Sequence, residues 1–278
     1  VILSDSLQIC KEGKKEIFIT DTSQYQIERI LGSGQFGLVK LATDLKHNDA
    51  PYAMKAISKK TNQKKIGRSA SLADPMKAIR MEIEILERMR HPNVVLLAEV
   101  IDDPTCDSMY LVQEFVPGGA VMGEVELGRG CTPLPYRRAW SLFRDMLNGL
   151  EYLHSKFVVH RDLKPSNILV TQDHRGKIVD FGVSTVVAQH GDQIDGTAGS
   201  PVFMGPEVCG VGDGGAYSGQ AADMYSAGAT LYAFVFGRVP FPGPTFMQLV
   251  EQKLKVSELV IDYSFVYSNC LLLFLISS

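Results

Sequence analysis

The chain has 278 residues, of which 45% are hydrophobic and 21% are charged, and its formal net charge is −3. These proportions are typical of a globular domain and exclude an intrinsically disordered chain. The small acidic excess argues against a nucleic-acid partner, because a nucleic-acid-binding domain carries a basic excess.

The five cysteines are odd in number and scattered without metal-ligand spacing, which predicts free thiols in a reducing compartment. No signal-peptide pattern opens the chain. The longest uncharged apolar run, residues 270–276, is shorter than the roughly 20 residues that span a bilayer. We therefore expect a soluble cytoplasmic protein, with the nucleus as a second compartment and with no membrane partner.

A glycine-rich segment follows the first strand-like pattern. Residues 1–24 are polar and mixed, and we interpret them as a leader with one short strand at Ile17–Ile19. From Tyr25 the pattern becomes strand-like and leads into Gly32-Ser33-Gly34-Gln35-Phe36-Gly37. In a dinucleotide-binding fold a helix would follow these glycines, whereas residues 38–43 favour a second strand. The glycines are therefore expected at the tip of a hairpin whose backbone N–H groups can approach phosphates.

Lys55 stands among apolar neighbours in the alternating strand Tyr52–Ile57. A lysine in a cleft of this kind needs a carboxylate partner to keep its charge. Glu82 is the first candidate, with Glu84 and Glu87 as the alternatives. Glu82 lies on a predicted helix whose apolar stripe is Met81, Ile85, Leu86 and Met89.

A second glycine-rich break predicts a boundary between two lobes. Two strands follow His91-Pro92-Asn93 and end at Val116, and Pro117-Gly118-Gly119 then interrupts the pattern. Further along, the period becomes helical, with a predicted core stripe of Trp140, Phe143, Met146 or Leu147, Leu150 and Leu153. A second apolar helix at 222–236 carries Asp223, which needs hydrogen-bonding partners if it is buried.

Two short segments concentrate the reactive side chains of the chain. His160-Arg161-Asp162-Leu163-Lys164-Pro165-Ser166-Asn167 is followed by Asp180-Phe181-Gly182. Asp162 is suited to accept a hydroxyl proton and Lys164 to contact a γ-phosphate. Asn167 and Asp180 supply oxygen ligands of the kind that Mg²⁺ prefers. The pattern therefore predicts phosphoryl transfer with ATP and Mg²⁺ as cofactors.

These two segments match the signature of the eukaryotic Ser/Thr protein kinases, and the chain resembles that family. The resemblance implies an α+β, bilobed protein-kinase fold, with a small antiparallel sheet and one main helix in the N-lobe and a mainly helical C-lobe. It implies a leader at 1–24, an N-lobe at 25–116, an incomplete C-lobe at 117–255 and a divergent apolar tail at 256–278. The implied catalytic residues are Asp162, Lys164, Lys55 and Glu82.

By the same resemblance, ATP binds between the lobes beneath the glycine hairpin, and its γ-phosphate is transferred to Ser or Thr hydroxyls of protein substrates. The backbone of Glu114 and Val116 would bind adenine, with Gln113 as the gatekeeper. The implied ATP-binding residues are Leu31, Gly32, Gly34, Gly37, Val39, Ala53, Lys55, Gln113, Glu114, Val116, Asn167, Leu169 and Asp180. Asn167 and Asp180 are the implied Mg²⁺ ligands.

Within the family, the chain is most similar to the calcium/calmodulin-dependent protein kinase kinases. The similarity is carried by Tyr52-Ala53-Met54-Lys55, a long basic insert at 59–73 and Asp102-Asp103-Pro104. Ser166 and Val202 stand where kinases that prefer basic substrates carry glutamates, which implies activation-loop threonines of other kinases as substrates. Calmodulin regulation is expected only through segments that this sequence does not contain.

The segment from Asp180 to Glu207 is interpreted as an activation segment. Thr197 is its predicted phosphorylation site, since Arg161 offers a partner for the phosphate; a segment that needs no phosphate is the alternative. After Lys255 the resemblance ends, and the arginine that pairs with the family's Ala-Pro-Glu glutamate is missing for Glu207. We therefore expect a truncated C-lobe, and an inactive module that binds a nucleotide or a partner is the alternative function.

Overall fold

The computed structural model describes residues 1–13, 15–34, 37–59, 75–123, 125, 130–210, 215–241, 243 and 245–259. Its N-terminal part is an eight-stranded sheet packed with the helix α1 (Pro75–Arg88). The strands are β1 (Ile2–Ser4), β2 (Gln8–Glu12), β3 (Lys15–Ile19), β4 (Gln24–Gly34), β5 (Gly37–Asp44), β6 (Ala50–Ser58), β7 (Leu97–Ile101) and β8 (Ser108–Glu114). Their order is β1-β7-β8-β6-β5-β4-β3-β2, and only the β1–β7 pair is parallel.

The first 24 residues are part of this sheet, whereas the sequence predicted a leader with one strand. β3 covers the predicted strand, but β1 and β2 were not predicted; β1 extends one edge beside β7, and β2 and β3 extend the other beside β4. The buried carboxylate of Glu99 on β7 helps to fix β1 and β4, because it accepts hydrogen bonds from Ser4 Oγ (2.5 Å) and Tyr25 Oη (2.7 Å). The side chains of β1 and β2 are mostly exposed, so these two strands have little apolar alternation for a sequence pattern to detect.

The apolar stripe of α1 faces the core, as its helical spacing predicted. Ile85, Leu86 and Met89 are buried, and Met81 is half-buried against the same cluster. The opposite face is exposed and carries an ion pair from Arg88 to Glu84 (2.8 Å). This orientation leaves Glu84 at the surface and turns Glu82 towards the sheet.

The second lobe is built mainly from three long helices in the part of the chain that the structure describes. They are α2 (Tyr136–Ser155), α3 (Gly219–Phe236) and α4 (Phe246–Leu259). Short strands lie between α2 and α3, in pairs that join β9 (Val158–Val159) to β12 (Thr185–Val186), β10 (Ile168–Val170) to β11 (Gly176–Ile178), and β13 (Gln193–Ile194) to β14 (Tyr217–Ser218). A single 3₁₀ turn at Pro165–Asn167 precedes β10.

The predicted core stripe of α2 is wrong at Trp140, which is 41% exposed. Phe143 is half-buried and packs against the core, and its ring contacts that of Trp140 at a centroid distance of 5.6 Å. The buried face runs instead through Ala139, Leu142, Met146, Leu150 and Leu153. Because Ala139 and Leu142 face the core at this turn, the helix geometry turns Trp140 to its rim.

A segment that follows α1 joins the two lobes. Val95 N donates to the carbonyl oxygen of Ile178 (3.0 Å), and Ile178 N donates to that of Asn93 (2.8 Å). Gly149 of α2 lies directly against this segment, since a Cβ there would be 2.7 Å from the Asn93 carbonyl oxygen. The sheet, α2 and β11 therefore form one continuous framework.

The predicted boundary at Lys255 falls inside α4, which continues to Leu259. The rest of the predicted apolar tail, residues 260–278, lies outside the described residues, as do most of the basic insert and Cys270. Cys10, Cys106 and Cys209 are free thiols, as predicted. No helix within the described ranges is both long enough and apolar enough to cross a bilayer.

Candidate active site

The glycine segment forms the predicted hairpin between β4 and β5. Gly32 lies opposite Val39, and Gly34 opposite Gly37, while the tip residues 35 and 36 lie outside the described residues. Gly37 has a φ of +154°, and a Cβ there would lie 1.8 Å from the carbonyl oxygen of Ala56. Only glycine fits this close approach between β5 and β6.

Strand register places the predicted nucleotide-binding residues side by side. Val39 lies opposite Lys55, and Ala53 lies opposite Gln113. Adjacent strands are about 4.8 Å apart, so these side chains belong to one continuous wall. Four predicted apolar contacts are all half-buried, as expected for the lining of an open cleft: Leu31, Val39, Ala53 and Leu169.

Lys55 is the centre of a buried charge cluster between the sheet, α1 and the Asp-Phe-Gly segment. Its Nζ lies 2.7 Å from Glu82 Oε1 and 3.3 Å from Asp180 Oδ1. Burial opposes the charged form of Lys55, but the negative charges of Glu82 and Asp180 outweigh it and raise the pKa of Lys55. The structure thus brings together three residues that lie far apart in the sequence, and it selects Glu82 over Glu84 and Glu87 as the partner.

Asp180 keeps its charge in this cluster. Burial opposes ionisation of Asp180, but the Lys55 ammonium outweighs it and holds the pKa of that carboxyl below its ordinary value. The Asp180 side chain is still 42% exposed, so an oxygen is accessible from the cleft. Its φ is +66°, in the left-handed region that non-glycine residues enter at a cost of about 1–3 kcal/mol. Strain of this kind is typical of a functional site.

The backbone that carries Asp162 is fixed from below by Asp223 of α3. The two carboxylate oxygens of Asp223 accept hydrogen bonds from His160 N and Arg161 N, both at 2.8 Å. His154 Nε2 lies 2.9 Å from the same carboxylate. These contacts supply the partners that a buried carboxylate needs, as the sequence predicted, and they hold the backbone of this loop in place.

The His160 side chain is buried and supports the loop from within. Its ring is fully buried and meets Phe181 edge to face, with a centroid distance of 5.1 Å. His160 Nδ1 accepts a hydrogen bond from Asp162 N (3.3 Å), and His160 Nε2 lies 3.1 Å from the carbonyl oxygen of Val179. Both ring nitrogens are therefore engaged with the backbone, which orients the loop around Asp162.

Asp162, Lys164 and Asn167 converge at the mouth of the cleft. Lys164 Nζ lies 2.9 Å from Asp162 Oδ2 and donates to Ser200 Oγ at 2.8 Å. Asn167 Nδ2 donates to the carbonyl oxygen (2.8 Å) and to Oδ2 (3.1 Å) of Asp162. Asp162 Oδ1 is buried and has no hydrogen-bond partner among the described residues. A carboxylate that a lysine and an amide hold in place is suited to accept a proton from a hydroxyl.

The side chains around the cleft fit a magnesium nucleotide. Because the amide nitrogen of Asn167 faces Asp162, its amide oxygen is directed away, as a metal ligand requires. Asn167 and Asp180 together offer only two protein ligands, and within the described ranges no cluster of three or more His, Cys, Asp or Glu residues is found. Mg²⁺ is commonly held in this way, by one or two side chains together with substrate phosphates.

The comparison with protein families decides what the chain is. The model of the protein kinase domain matches residues 25–268, which is most of the chain. The chain belongs to the protein kinase family. The match begins where the N-lobe was predicted to begin, and it continues past Lys255, where we expected the resemblance to end.

Several Ser/Thr kinases are similar along most of this kinase chain. A calcium/calmodulin-dependent protein kinase kinase of Caenorhabditis elegans is 38% identical over 263 residues, covering 90% of this chain and 48% of that protein. The serine/threonine-protein kinase GRIK1 of Arabidopsis thaliana is 37% identical over 87% of this chain and 58% of its own length. The serine/threonine-protein kinase ssp1 of Schizosaccharomyces pombe is 36% identical over 84% of this chain and 37% of its own length. The chain spans roughly half the length of these relatives.

The hinge of the kinase carries a contact that the sequence did not reveal. Glu114 Oε1 lies 2.7 Å from Lys177 Nζ on β11 and accepts a hydrogen bond from Leu96 N (2.9 Å). Glu114 N also donates to the Leu96 carbonyl oxygen (3.0 Å). Lys177 lies three residues before Asp180, between the buried residues Gly176 and Ile178. A charged residue at such a position needs a partner, and this is the feature of the sequence that could have indicated the ion pair with Glu114.

The activation segment of the kinase is fixed by backbone contacts. Arg161 Nη2 donates to the carbonyl oxygens of Asp195 (3.3 Å) and Gly196 (3.2 Å), and Thr197 Oγ1 donates to that of Val208 (3.0 Å). Glu207 is exposed, so the penalty for a buried unpaired glutamate does not arise. Phosphorylation of Thr197 stays a prediction.

Proposed function

We propose that the chain is an ATP-dependent Ser/Thr protein kinase that acts upstream of other kinases, on threonines in their activation loops. The observation that carries the catalytic part is the contact of Lys55 with both Glu82 (2.7 Å) and Asp180 (3.3 Å), because phosphoryl transfer in kinases needs this lysine and the metal-binding aspartate together. Membership of the protein kinase family and the names of the Ser/Thr kinases that the chain resembles support the same reading.

In this proposal residues of both lobes bind Mg-ATP. Leu31, Val39 and Ala53 of the sheet, with Leu169 from below, enclose the adenine, and the backbone of Glu114 and Val116 binds its edge. Lys55 binds the α/β-phosphates, and Gly32, Gly34 and Gly37 bring backbone N–H groups to them. Asn167 and Asp180 hold the metal. When bound, Mg-ATP supplies the transferable phosphoryl group and a cation that neutralises its charge.

The substrate hydroxyl is positioned by the loop that Asp223 holds. Asp162 accepts the hydroxyl proton, and Asn167 helps to orient its carboxylate. Lys164 Nζ lies 2.9 Å from Oδ2 of that carboxylate and stabilises negative charge at the γ-phosphate. Positioning of such a base is worth about 10²–10⁴-fold in rate.

The proposed preference for kinase activation loops is supported by the wall beside Lys164. A cavity of about 450 Å³ opens there, lined by Ser166 and Val202 among mostly apolar side chains, and none of the described residues in its lining is acidic. A groove without carboxylates has little attraction for arginine-rich peptides. The similar protein of Caenorhabditis elegans is named a protein kinase kinase, that is, a kinase whose substrate is a protein kinase, which supports the same substrate class.

A transfer assay with the 278-residue chain tests the proposal. Mg-ATP and a peptide from a kinase activation loop should yield phosphothreonine, and Asp180→Asn should reduce the rate by at least a hundredfold. Asp173→Asn is the matched control, since Asp173 is exposed in the turn between β10 and β11 and should leave the rate unchanged.

A peptide library tests the proposed substrate class independently of the proposed phosphoryl transfer. We expect no strong selection for arginine three residues before the phosphorylated threonine, and such a selection would contradict the upstream role while leaving kinase activity intact. A folded chain that binds ATP but transfers no phosphate to any peptide would instead support an inactive module that binds nucleotide or a partner.

A further inference from the structure

Lys253 of α4 is a buried cation that neither the sequence pattern nor the proposed chemistry uses. Its residue exposure is 1%, and it is among the largest fully buried side chains of the described residues. Its Nζ donates to the carbonyl oxygens of Pro201 (2.7 Å) and Met204 (2.5 Å). The ring of Tyr225 lies below the ammonium, with its centroid 5.8 Å away. The α4 side chain thus reaches the end of the activation segment.

The two carbonyl groups belong to a turn that forms one wall of the cavity beside the catalytic loop. In this turn Phe203 N and Met204 N both donate to the carbonyl oxygen of Ser200, at 2.9 and 3.3 Å. Ser200 Oγ in turn accepts a hydrogen bond from Lys164 Nζ. A chain of direct contacts therefore runs from Lys253 through the turn to Lys164 and Asp162.

A lysine suits this position for a physical reason. Two carbonyl oxygens of one turn converge on a single point, and an ammonium on a flexible stem can donate to both. Burial lowers the pKa of Lys253, and the negative charge of Glu207 acts in the opposite direction. A buried ammonium is tolerated only where hydrogen bonds compensate its lost hydration, and the turn supplies them.

We propose that Lys253 is a positioning residue that fixes the turn Ser200–Met204 and thereby shapes the cavity that receives the protein substrate next to the phosphorylated hydroxyl. The inference rests on the kinase chemistry proposed above and adds to it the residue that determines affinity for the substrate polypeptide. The apolar lining of the cavity, which includes Val202, Phe203 and Leu249, indicates that it takes an apolar side chain of that substrate.

The test compares Lys253→Met with Lys253→Arg and with Lys255→Met in the 278-residue chain. Lys255 is the matched control, because it lies two residues further along the same helix, is exposed and forms a surface ion pair with Glu251 (2.7 Å). We expect Lys253→Met to raise the KM for an activation-loop peptide at least tenfold while the KM for ATP changes less than twofold. Lys253→Arg should recover most of the loss, and Lys255→Met should match the wild type.

Two further measurements do not depend on turnover. Binding of the same peptide with alanine in place of its threonine, measured by fluorescence titration, should weaken at least tenfold in Lys253→Met. Hydrogen exchange of the amides of residues 203 and 204 should accelerate, while exchange in α2 stays unchanged. A wild-type chain that binds this peptide but transfers no phosphate would contradict the proposed function and leave the role of Lys253 measurable.

Unchanged peptide binding in Lys253→Met would overturn the inference. So would an equal loss of peptide and ATP affinity with faster exchange throughout the C-lobe, because that pattern indicates a structural role alone. If Lys253→Met does not fold, Lys253→Gln, whose amide can donate to one of the two carbonyl groups, is judged by the same criteria.

Discussion

Lys55 Nζ and Glu82 Oε1 lie 2.7 Å apart, and both side chains are almost completely buried. This contact couples the position of α1 to strand β6, which carries Lys55. We predict that Glu82→Gln reduces kcat for peptide phosphorylation at least tenfold, because the neutral amide holds the ammonium less firmly in place. The same substitution should also lower the free energy of unfolding. Loss of one partner of a buried ion pair costs about 3–5 kcal/mol, and we expect a decrease near the lower value because Asp180 still contacts Lys55.

Glu84→Gln is the control for this prediction. Glu84 lies on the exposed face of the same helix, where its pair with Arg88 is worth about 0.3–0.5 kcal/mol. Urea unfolding and initial rates should therefore separate the two variants clearly. Equal rates for Glu82→Gln and the wild type would show that the Lys55–Glu82 contact is not needed for catalysis.

Asp223 offers a second test, directed at the loop that carries Asp162. An asparagine at this position keeps one acceptor oxygen and turns an N–H donor towards the N–H of His160 or Arg161, so that one buried donor loses its partner. We expect Asp223→Asn to lower the free energy of unfolding by about 1–3 kcal/mol. We also expect kcat to fall roughly a hundredfold, since a displacement of about 1 Å at a catalytic group has an effect of this size.

Asp145→Asn is the matched variant for Asp223→Asn. Asp145 is also a buried aspartate, and its Oδ2 accepts a hydrogen bond from Gly176 N (2.9 Å), which the oxygen of an asparagine can still accept. We therefore expect Asp145→Asn to change the melting temperature and kcat only slightly, as measured by thermal unfolding and peptide kinetics. A drop in kcat as large as that of Asp223→Asn would mean that any buried aspartate of the C-lobe has the same influence.

Sequence patterns anticipated the parts of the site that depend on short motifs. The hairpin glycines, Asp162, Asn167 and Asp180 each stand in a fixed local spacing, and the backbone of these loops determines where they point. The choice of Glu82 also followed from a local rule, because the apolar stripe of α1 fixes which glutamate faces inward.

Contacts between distant segments could not be anticipated in the same way. The pairing of β1 with β7, the Glu114–Lys177 ion pair and the reach of Lys253 to Pro201 all join residues more than 50 positions apart. Each depends on how the elements pack rather than on a periodic pattern. Trp140 shows what a periodic pattern cannot predict. A 3.6-residue period alone does not reveal that Ala139, rather than the larger Trp140, faces the core.

Thr197 provides a third test, which concerns control of the activation segment. Arg161 already binds the carbonyl groups of Asp195 and Gly196, so the segment is held without a phosphate. We therefore predict that Thr197→Ala retains activity within about threefold of the wild type, with the loss of the Val208 hydrogen bond costing about 0.5–1.5 kcal/mol. Initial rates of the untreated variant and the untreated wild type are the measurement, and the same rates after phosphatase treatment are the control. A tenfold loss would favour Thr197 as a phosphorylation-dependent switch.

Asp192 connects the activation segment to the start of α3, and its charge gives a prediction with a defined pH dependence. Its carboxylate accepts hydrogen bonds from Ser218 Oγ and Gln220 N (3.1 Å) at the positive end of the helix dipole. The hydrogen bond from Ser218 is the largest cause that lowers the pKa of Asp192. The carboxylate therefore contributes stability above the unfolded-state pKa of about 3.9, and this contribution is lost as the pH falls through the lower folded-state pKa.

We predict that Asp192→Asn lowers the free energy of unfolding by about 0.5–1 kcal/mol at pH 7 and that the difference from the wild type vanishes near pH 2. Urea unfolding of both proteins at several pH values measures this difference, and the conditions must keep both unfolding transitions reversible. Ser218→Ala should flatten the pH dependence of the difference, because it removes the hydrogen bond with the largest effect on the carboxyl. A difference that is constant from pH 7 to pH 2 would show that the shape of the side chain, rather than its charge, stabilises this junction.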